Sequence, residues 1–161
     1  QQMTNPFYRV DNRLVHGQII ATWMPHLRFK RVVVISDTVP ANILQMSMFQ
    51  MAVPSNVRFE AMNLADGARW LESRGYGRDS TIILLETVDD AVRLFESGHT
   101  YSALNLGNIP HAPKRERFTN AVYLGKSQVK RLQGLMKRGV QVEIRSLPNE
   151  SPINLSTALQ S

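Results

Sequence analysis

The chain contains no cysteine among its 161 residues. That excludes disulfides, thiolate metal sites and cysteine nucleophiles. It also has no apolar run approaching the ~20 residues that a membrane-spanning helix needs, and no stretch that reads as a signal peptide. The expectation is a cytoplasmic protein. Acidic residues are the scarcer charge, 13 against 19 Lys and Arg, leaving a formal net charge of +6. That excess reads either as a solvated basic surface or as a docking face for acidic or phosphorylated partners. The clusters that would form such a face are Lys114-Arg115-Glu116-Arg117 and the set Lys126, Lys130, Arg131, Lys137 and Arg138. No helix-turn-helix, zinc-finger or aromatic-basic motif accompanies them, so nucleic acid is not expected as a partner. His26 and His99 lack companions at metal-ligand spacing, so neither a metal nor a cofactor is expected.

What the chain does have is alternation. Phe7–Asp11, Arg31–Ser36, Val57–Met62, Thr81–Glu86, Ser102–Leu106, Ala121–Leu124 and Val140–Arg145 read as strands. Val32-Val33-Val34-Ile35 and Ile82-Ile83-Leu84-Leu85 are continuously apolar, as strands covered on both faces are. Between them lie helical patterns at Gln18–Met24, Ala41–Ala52, Ala65–Arg74, Asp89–Ser97 and Gln128–Arg138. Asn63, Thr87 and Ser127 stand where N-caps belong, and Gly75, Gly98 and Gly139 just past helix ends. Pro25, Pro54 and Pro110 are placed in connections, and Met46, Met48 and Met51 inside a helix core. The prediction is a single-domain α/β fold, with a mainly parallel central β-sheet of about six or seven strands and helices on both faces. Residues 149–161 read as a short helix or a loose tail.

In such sheets ligands bind beyond the carboxyl ends of strands. The first strand ends in Arg9-Val10-Asp11-Asn12-Arg13-Leu14-Val15-His16-Gly17-Gln18. This places a histidine between a strand and a helix start, whose unpaired amides and partial positive charge attract anions. Two guanidiniums nearby suit a phosphoryl group, whose transfer depends on positioning and charge stabilisation. The physical reading is a phosphorylatable His16. Arg13 is close enough in sequence to clamp phosphoryl oxygens. Arg9 and Asp11 share a strand face, and either pair with each other or contact phosphate; Asp11 alternatively orients the His16 ring. Gly17 suits a turn and close backbone approach to an anion. Gln18 either donates to the phosphoryl group or belongs only to the helix. Trp23 reads as core more than as a sugar-stacking platform.

Arg-x-Asp-x-Arg-Leu-x-His-Gly-Gln resembles the signature of the IIB component of the mannose/fructose/sorbose-class sugar phosphotransferase system. Val33-Val34-Ile35-Ser36-Asp37, Met51-Ala52-Val53-Pro54, Asn105-Leu106-Gly107-Asn108 and Gly139-Val140-Gln141-Val142 before Leu147-Pro148 fall in that family's order. The resemblance spans roughly residues 7 to 150. It implies that His16 takes a phosphoryl group on Nδ1 from a phosphohistidine of a IIA phosphocarrier domain and passes it to a sugar. The sugar is presented by membrane IIC and IID permease components. The absence of cysteine agrees, since other IIB classes resemble one another in using a phosphocysteine. The resemblance also adds Asp37, Asn108 and Lys114 as candidate pocket residues. Pro110 interrupts the family pattern before His111, which therefore receives no catalytic role. A homodimer is compatible with the sequence, though no interface is marked. Two rival readings stay open: a regulatory phosphohistidine protein without a sugar partner, and a degenerate basic binding module.

Overall fold

The structure is a computed structural model, and it describes residues 5–160. A seven-stranded sheet in the order β3-β2-β4-β1-β5-β8-β9 forms its centre. Its strands are β1 (Phe7–Asp11), β2 (Arg31–Ile35), β3 (Arg58–Met62), β4 (Thr81–Leu85), β5 (Ala103–Asn108), β8 (Gln141–Ile144) and β9 (Ile153–Asn154). Every pairing is parallel except β8 with β9. The two continuously apolar runs became β2 and β4, each buried along its whole length.

Helices cover both faces. On one, α3 (Leu64–Glu72), α4 (Val88–Glu96) and α5 (Lys126–Lys137) pack over a core containing Tyr8, Val10, Ile83, Leu85, Leu104 and Leu106. On the other, the segment after β1 and α2 (Ile43–Ala52) bury Leu14, Ile19, Trp23 and Phe49 against Val32, Val34, Ile82 and Leu84. From β1 the chain passes to β2 on one side, whereas the connection out of β4 leads to β5 on the other. The carboxyl end of β1 is therefore a switch in strand order, the position that open α/β sheets offer to ligands.

Several local expectations are corrected. Ala121–Leu124 is not a strand of the central sheet: Val122 makes a single parallel bridge to Ile109, just past β5, and only β7 (Tyr123–Leu124) is a strand, paired antiparallel with β6 (Glu116–Arg117). Val122 and Leu124 are buried, so their apolar signal is that of core contact and carries no information about which strand they pair with. The first helical segment is a π-helix over Ile19–Trp23, with the Met24 amide reaching back to the Ile19 carbonyl, followed by α1 (Met24–Leu27). Pro25 sits in the first turn of α1 and not in a connection. A proline there cannot donate and crowds the preceding turn, which favours the wider winding. Helix α5 starts at Lys126, one residue before Ser127; Gly125 is its cap, and its amide donates to Gln128 Oε1 at 2.9 Å. Asn63 and Thr87 do cap α3 and α4, accepting from the amides of Asp66 and Asp90. After α3 the left-handed residue is Arg74 (φ 58), and not Gly75. Gly75 instead makes room for Trp70, whose indole would lie 2.2 Å from an added Cβ.

Met48 and Met51 are exposed, along with Ile43 and Leu44, so α2 turns methionines outward as well as inward. Residues 149–160 include β9 and α6 (Leu155–Ala158), with Leu155 fully buried; this segment is a sheet edge with a helical turn.

Candidate functional site

Asp11 is the last residue of β1, completely buried, and it gathers the cluster. Backbone geometry turns the chain around it. Leu14 adopts a left-handed conformation (φ 59) and its amide donates to the Asp11 carbonyl at 3.0 Å, while the Arg13 amide donates to Asp11 Oδ1 at 3.0 Å. The turn returns His16 to the strand end, and the ring Nε2 lies 2.9 Å from Asp11 Oδ2. The His16 side chain keeps 16% of its surface exposed. It stands at the start of the helical segment, where the Ile20 amide donates to the His16 carbonyl at 3.2 Å. The amides just ahead of that bond are those a helix start leaves without partners along its axis.

Two guanidiniums hold Asp11. Arg13 donates from Nε to Oδ1 and from Nη2 to Oδ2, both at 3.1 Å, a two-point fork. Its Nη2 also donates to Gln18 Oε1 at 3.1 Å, and Nη1 has no partner among the described residues. Arg9, fully buried, reaches Asp11 Oδ2 from Nη2 at 3.1 Å and, less closely, from Nε at 3.4 Å. Burial alone would raise the Asp11 carboxyl. The hydrogen bonds from His16 and Arg13 and the Arg9 charge outweigh it, and hold the group well below the usual carboxylate range. Burial pulls Arg9 below its ordinary value, opposed by Asp11.

Of the alternatives that the sequence left open, the contacts present are the buried Arg9–Asp11 pair and that of Asp11 with the His16 ring. Since Nε2 faces the carboxylate, Nδ1 is the ring nitrogen that Asp11 does not engage. Gln18 accepts a hydrogen bond from Arg13. Gly17 has no left-handed backbone, and an added Cβ would meet nothing within 4 Å; the turn does not require glycine there, although the space in front of it is open. Asn108 belongs to the neighbourhood: its Nδ2 donates to Asn12 Oδ1, and its carbonyl accepts from the Asn12 amide at 3.1 Å. Asp37 does not. Strand β4 lies between β2 and β1, and the Asp37 carboxylate accepts from the Leu64 amide and from Arg93, both at 3.0 Å. Its role is to cap α3 and tie it to α4. Lys114 is an exposed, left-handed residue (φ 66) of the connection after β5, with no hydrogen bond or ion pair to the His16 cluster. Trp23 is core, stacked on Phe7 at 5.0 Å and donating from Nε1 to the Ser146 carbonyl at 2.8 Å. His111 packs edge-on against Tyr123. No group of residues suited to a metal ion occurs among the described residues.

Sequence reading missed what stands behind Arg9. Its Nη1 donates to Asn105 Oδ1 at 2.9 Å and to the Arg145 carbonyl at 3.1 Å, and Nη2 also donates to the Ser146 carbonyl at 3.2 Å. An asparagine inside an otherwise apolar strand was the available signal for Asn105; main-chain acceptors leave none.

Residues 6–161 match the family described as the PTS system sorbose subfamily IIB component. The chain is 28% identical over 143 residues to the PTS system fructose-specific EIIB component of Bacillus subtilis (strain 168), covering 89% of this chain and 88% of that one. It is 24% identical over 147 residues to the PTS system mannose-specific EIIAB component of Escherichia coli (strain K12), covering 91% of this chain. It spans about half of that longer relative, 46%. In fold it resembles the IIBSor domain of the sorbose permease from Klebsiella pneumoniae, with a TM-score of 0.86 at 21% identity over 96% of this chain and 94% of that one. With a family match running almost from end to end, this chain belongs to the sorbose subfamily of phosphotransferase-system (PTS) IIB components.

Proposed function

We propose that His16 is the phosphoryl carrier of this IIB component, accepting the group on Nδ1 from a IIA phosphohistidine and delivering it to a sugar. The observation that carries the reading is the 2.9 Å contact of His16 Nε2 with a buried, doubly clamped Asp11. With its proton on Nε2 facing the carboxylate, the ring offers a bare lone pair at Nδ1. As Nδ1 bonds to phosphorus, the N–P bond to the donor imidazole breaks and positive charge develops on the His16 ring. Asp11 is placed to stabilise that charge, as the buried carboxylate of a serine-protease triad does. In the second step the N–P bond at Nδ1 breaks and an O–P bond forms at a sugar hydroxyl, whose proton leaves to solvent. The ring is then neutral again, with its Nε2 proton never having moved. Arg13, exposed to 37% and with Nη1 free of partners among the described residues, supplies a donor for phosphoryl oxygens, joined by the open helix start.

The partners in this reading are a IIA phosphocarrier, joined to its IIB in a relative named EIIAB, and membrane IIC and IID permease components that hold the sugar. Transport is assigned to those membrane partners, and the working place of this chain to the cytoplasmic side, where a IIA phosphocarrier would meet it; no helix among the described residues is long and apolar enough to cross a membrane. The test is transfer of labelled phosphate from phosphoenolpyruvate through the general phosphocarriers and a mannose-class IIA. Acid-labile label on the wild type and none on His16→Ala is the expected result. Label surviving in His16→Ala would remove His16 from the role.

A further inference from the structure

Arg9 is a cation with no exposed surface, and a guanidinium brings five N–H donors. All five have acceptors. Nε and one Nη2 proton go to Asp11, the other Nη2 proton goes to the Ser146 carbonyl, and Nη1 goes to the Arg145 carbonyl and Asn105 Oδ1. Three of the four acceptor atoms, Asp11 Oδ2 and the two carbonyls, can only accept. Asn105 is different, because its amide has an oxygen at one end and an NH2 at the other, and a half-turn about its last bond exchanges them. The orientation that meets Arg9 needs the NH2 end to face acceptors, and it does: Nδ2 donates to Glu143 Oε2 at 2.7 Å and to the Arg145 carbonyl at 3.1 Å. The reverse orientation would set an NH2 against a guanidinium and an oxygen against a carboxylate and a carbonyl. The shorter, charged contact is the one with Glu143, and charge-assisted hydrogen bonds are the stronger kind.

We propose that Glu143 and Asn105 are positioning residues for the phosphoryl transfer, Glu143 fixing the Asn105 amide so that Arg9 holds Asp11 and Asp11 holds the His16 ring. The relay crosses the sheet from β8 through β5 to β1, with Arg9 and Asn105 opposite each other in the parallel register. Its two ends differ in setting. Arg9, Asp11 and Asn105 are buried, whereas Glu143 is half-buried and borders a hollow of about 330 Å³ shared with Asn105, Phe7 and Asn154. A shorter side chain at 143 therefore admits water and does not collapse the core. The proposal rests on the reading of His16 as the phosphoryl carrier, but its geometric half can be measured without any phosphoryl group.

The experiment compares wild type, Asn105→Ala, Glu143→Ala and Glu143→Gln. The first readout is exchange with water of the His16 Nε2 proton, followed by NMR in the unphosphorylated protein. The second is the rate of label transfer from phospho-IIA. The expected result is faster exchange and a transfer rate lower by ~10–100-fold in Asn105→Ala, the range outer partners of a site command. Glu143→Ala should show a smaller loss of the same kind, and Glu143→Gln, which keeps an acceptor oxygen, should recover most of it. Should Asn105→Ala fail to fold, the Glu143 pair decides alone. Unchanged proton exchange and unchanged transfer in Glu143→Ala would overturn the proposal. Faster exchange in Glu143→Ala with no label on any protein, wild type included, would uphold the relay and tell against His16 as carrier.

Discussion

The Arg9 guanidinium occupies the space where a side chain at position 107 would begin: a Cβ added to Gly107 would lie 2.0 Å from Arg9 Cζ. The register between β1 and β5 slips at this point, Val10 facing Leu106 and Asp11 facing Asn108, which leaves Gly107 without an opposite residue. A glycine at a strand irregularity commonly marks a close approach of this sort. Gly107→Ala is expected to lower stability by about 3 kcal/mol, from overpacking and from displacing a buried cation. Denaturant unfolding of the variant checks this, and a wild-type midpoint would mean that Arg9 has another resting place.

Asp11→Asn keeps the shape and removes the charge that compensates Arg9. Leaving a buried charge without its partner costs about 3–5 kcal/mol. The same substitution should flatten the acid limb of the stability profile. The folded-state carboxyl is depressed, so the unfolded chain binds the proton first, and stability falls as pH drops below the unfolded value of about 3.9. Above that pH the contribution is fully present. Unfolding measured between neutral pH and strong acid should show a steeper loss for wild type than for Asp11→Asn; parallel curves would deny Asp11 this linkage.

Arg13→Lys separates transfer from stability. The two-point fork on Asp11 needs a planar guanidinium, which an ammonium cannot reproduce. Because Arg13 is partly exposed, the expected stability change is below about 1 kcal/mol. Transfer from phospho-IIA should slow about tenfold or more, within the range of electrostatic stabilisers. Equal rates for the two proteins would remove Arg13 from the mechanism.

Asp37 offers the contrast. It receives the Leu64 amide and the Arg93 guanidinium, so Asp37→Ala should cost about 1 kcal/mol, as loss of a helix cap does, while leaving phosphoryl transfer at the wild-type rate. A transfer defect at unchanged stability would return Asp37 to the site.

Arg28 ends α1 in the left-handed conformation (φ 54) and is exposed. A side chain there is strained by about 1–2 kcal/mol, part of which glycine loses again through chain entropy. Arg28→Gly should stabilise the protein by about 0.5–1 kcal/mol in thermal or denaturant unfolding, and a lower midpoint would show that the Arg28 side chain matters to packing.

Legibility in the sequence followed the range of the interaction. Val32–Ile35 and Ile82–Leu85 were readable as covered strands because each residue carries its own burial signal, and Asn63 and Thr87 as caps because a cap acts within three residues. Within the site, Arg9 and Asp11 share a strand face as their spacing suggested and His16 meets Asp11, whereas the fork of Arg13 on Asp11 and its bond to Gln18 had no sequence signal. Contacts made across the fold were not readable. The pairing of β7 with β6, the tie of Asp37 to Arg93, and the Asn105, Arg145 and Ser146 groups around Arg9 depend on which strands become neighbours. Apolar periodicity reports a buried face but not what lies against it. The outward-facing Met48 and Met51 show the same limit, since apolar character alone cannot say which side of α2 is left uncovered.

The parallel sheet also has a consequence for synthesis. Arg9 and Asp11 leave the ribosome ahead of β4 and β5, the strands that flank them, and ahead of Arg145 and Ser146, whose carbonyls receive Arg9. A nascent chain released only as far as β5 would carry the histidine loop and its aspartate around a guanidinium still lacking two of its acceptors. The histidine pocket therefore completes only once Ser146 has emerged, and a translation product interrupted before it has the motif without the means to hold it in place.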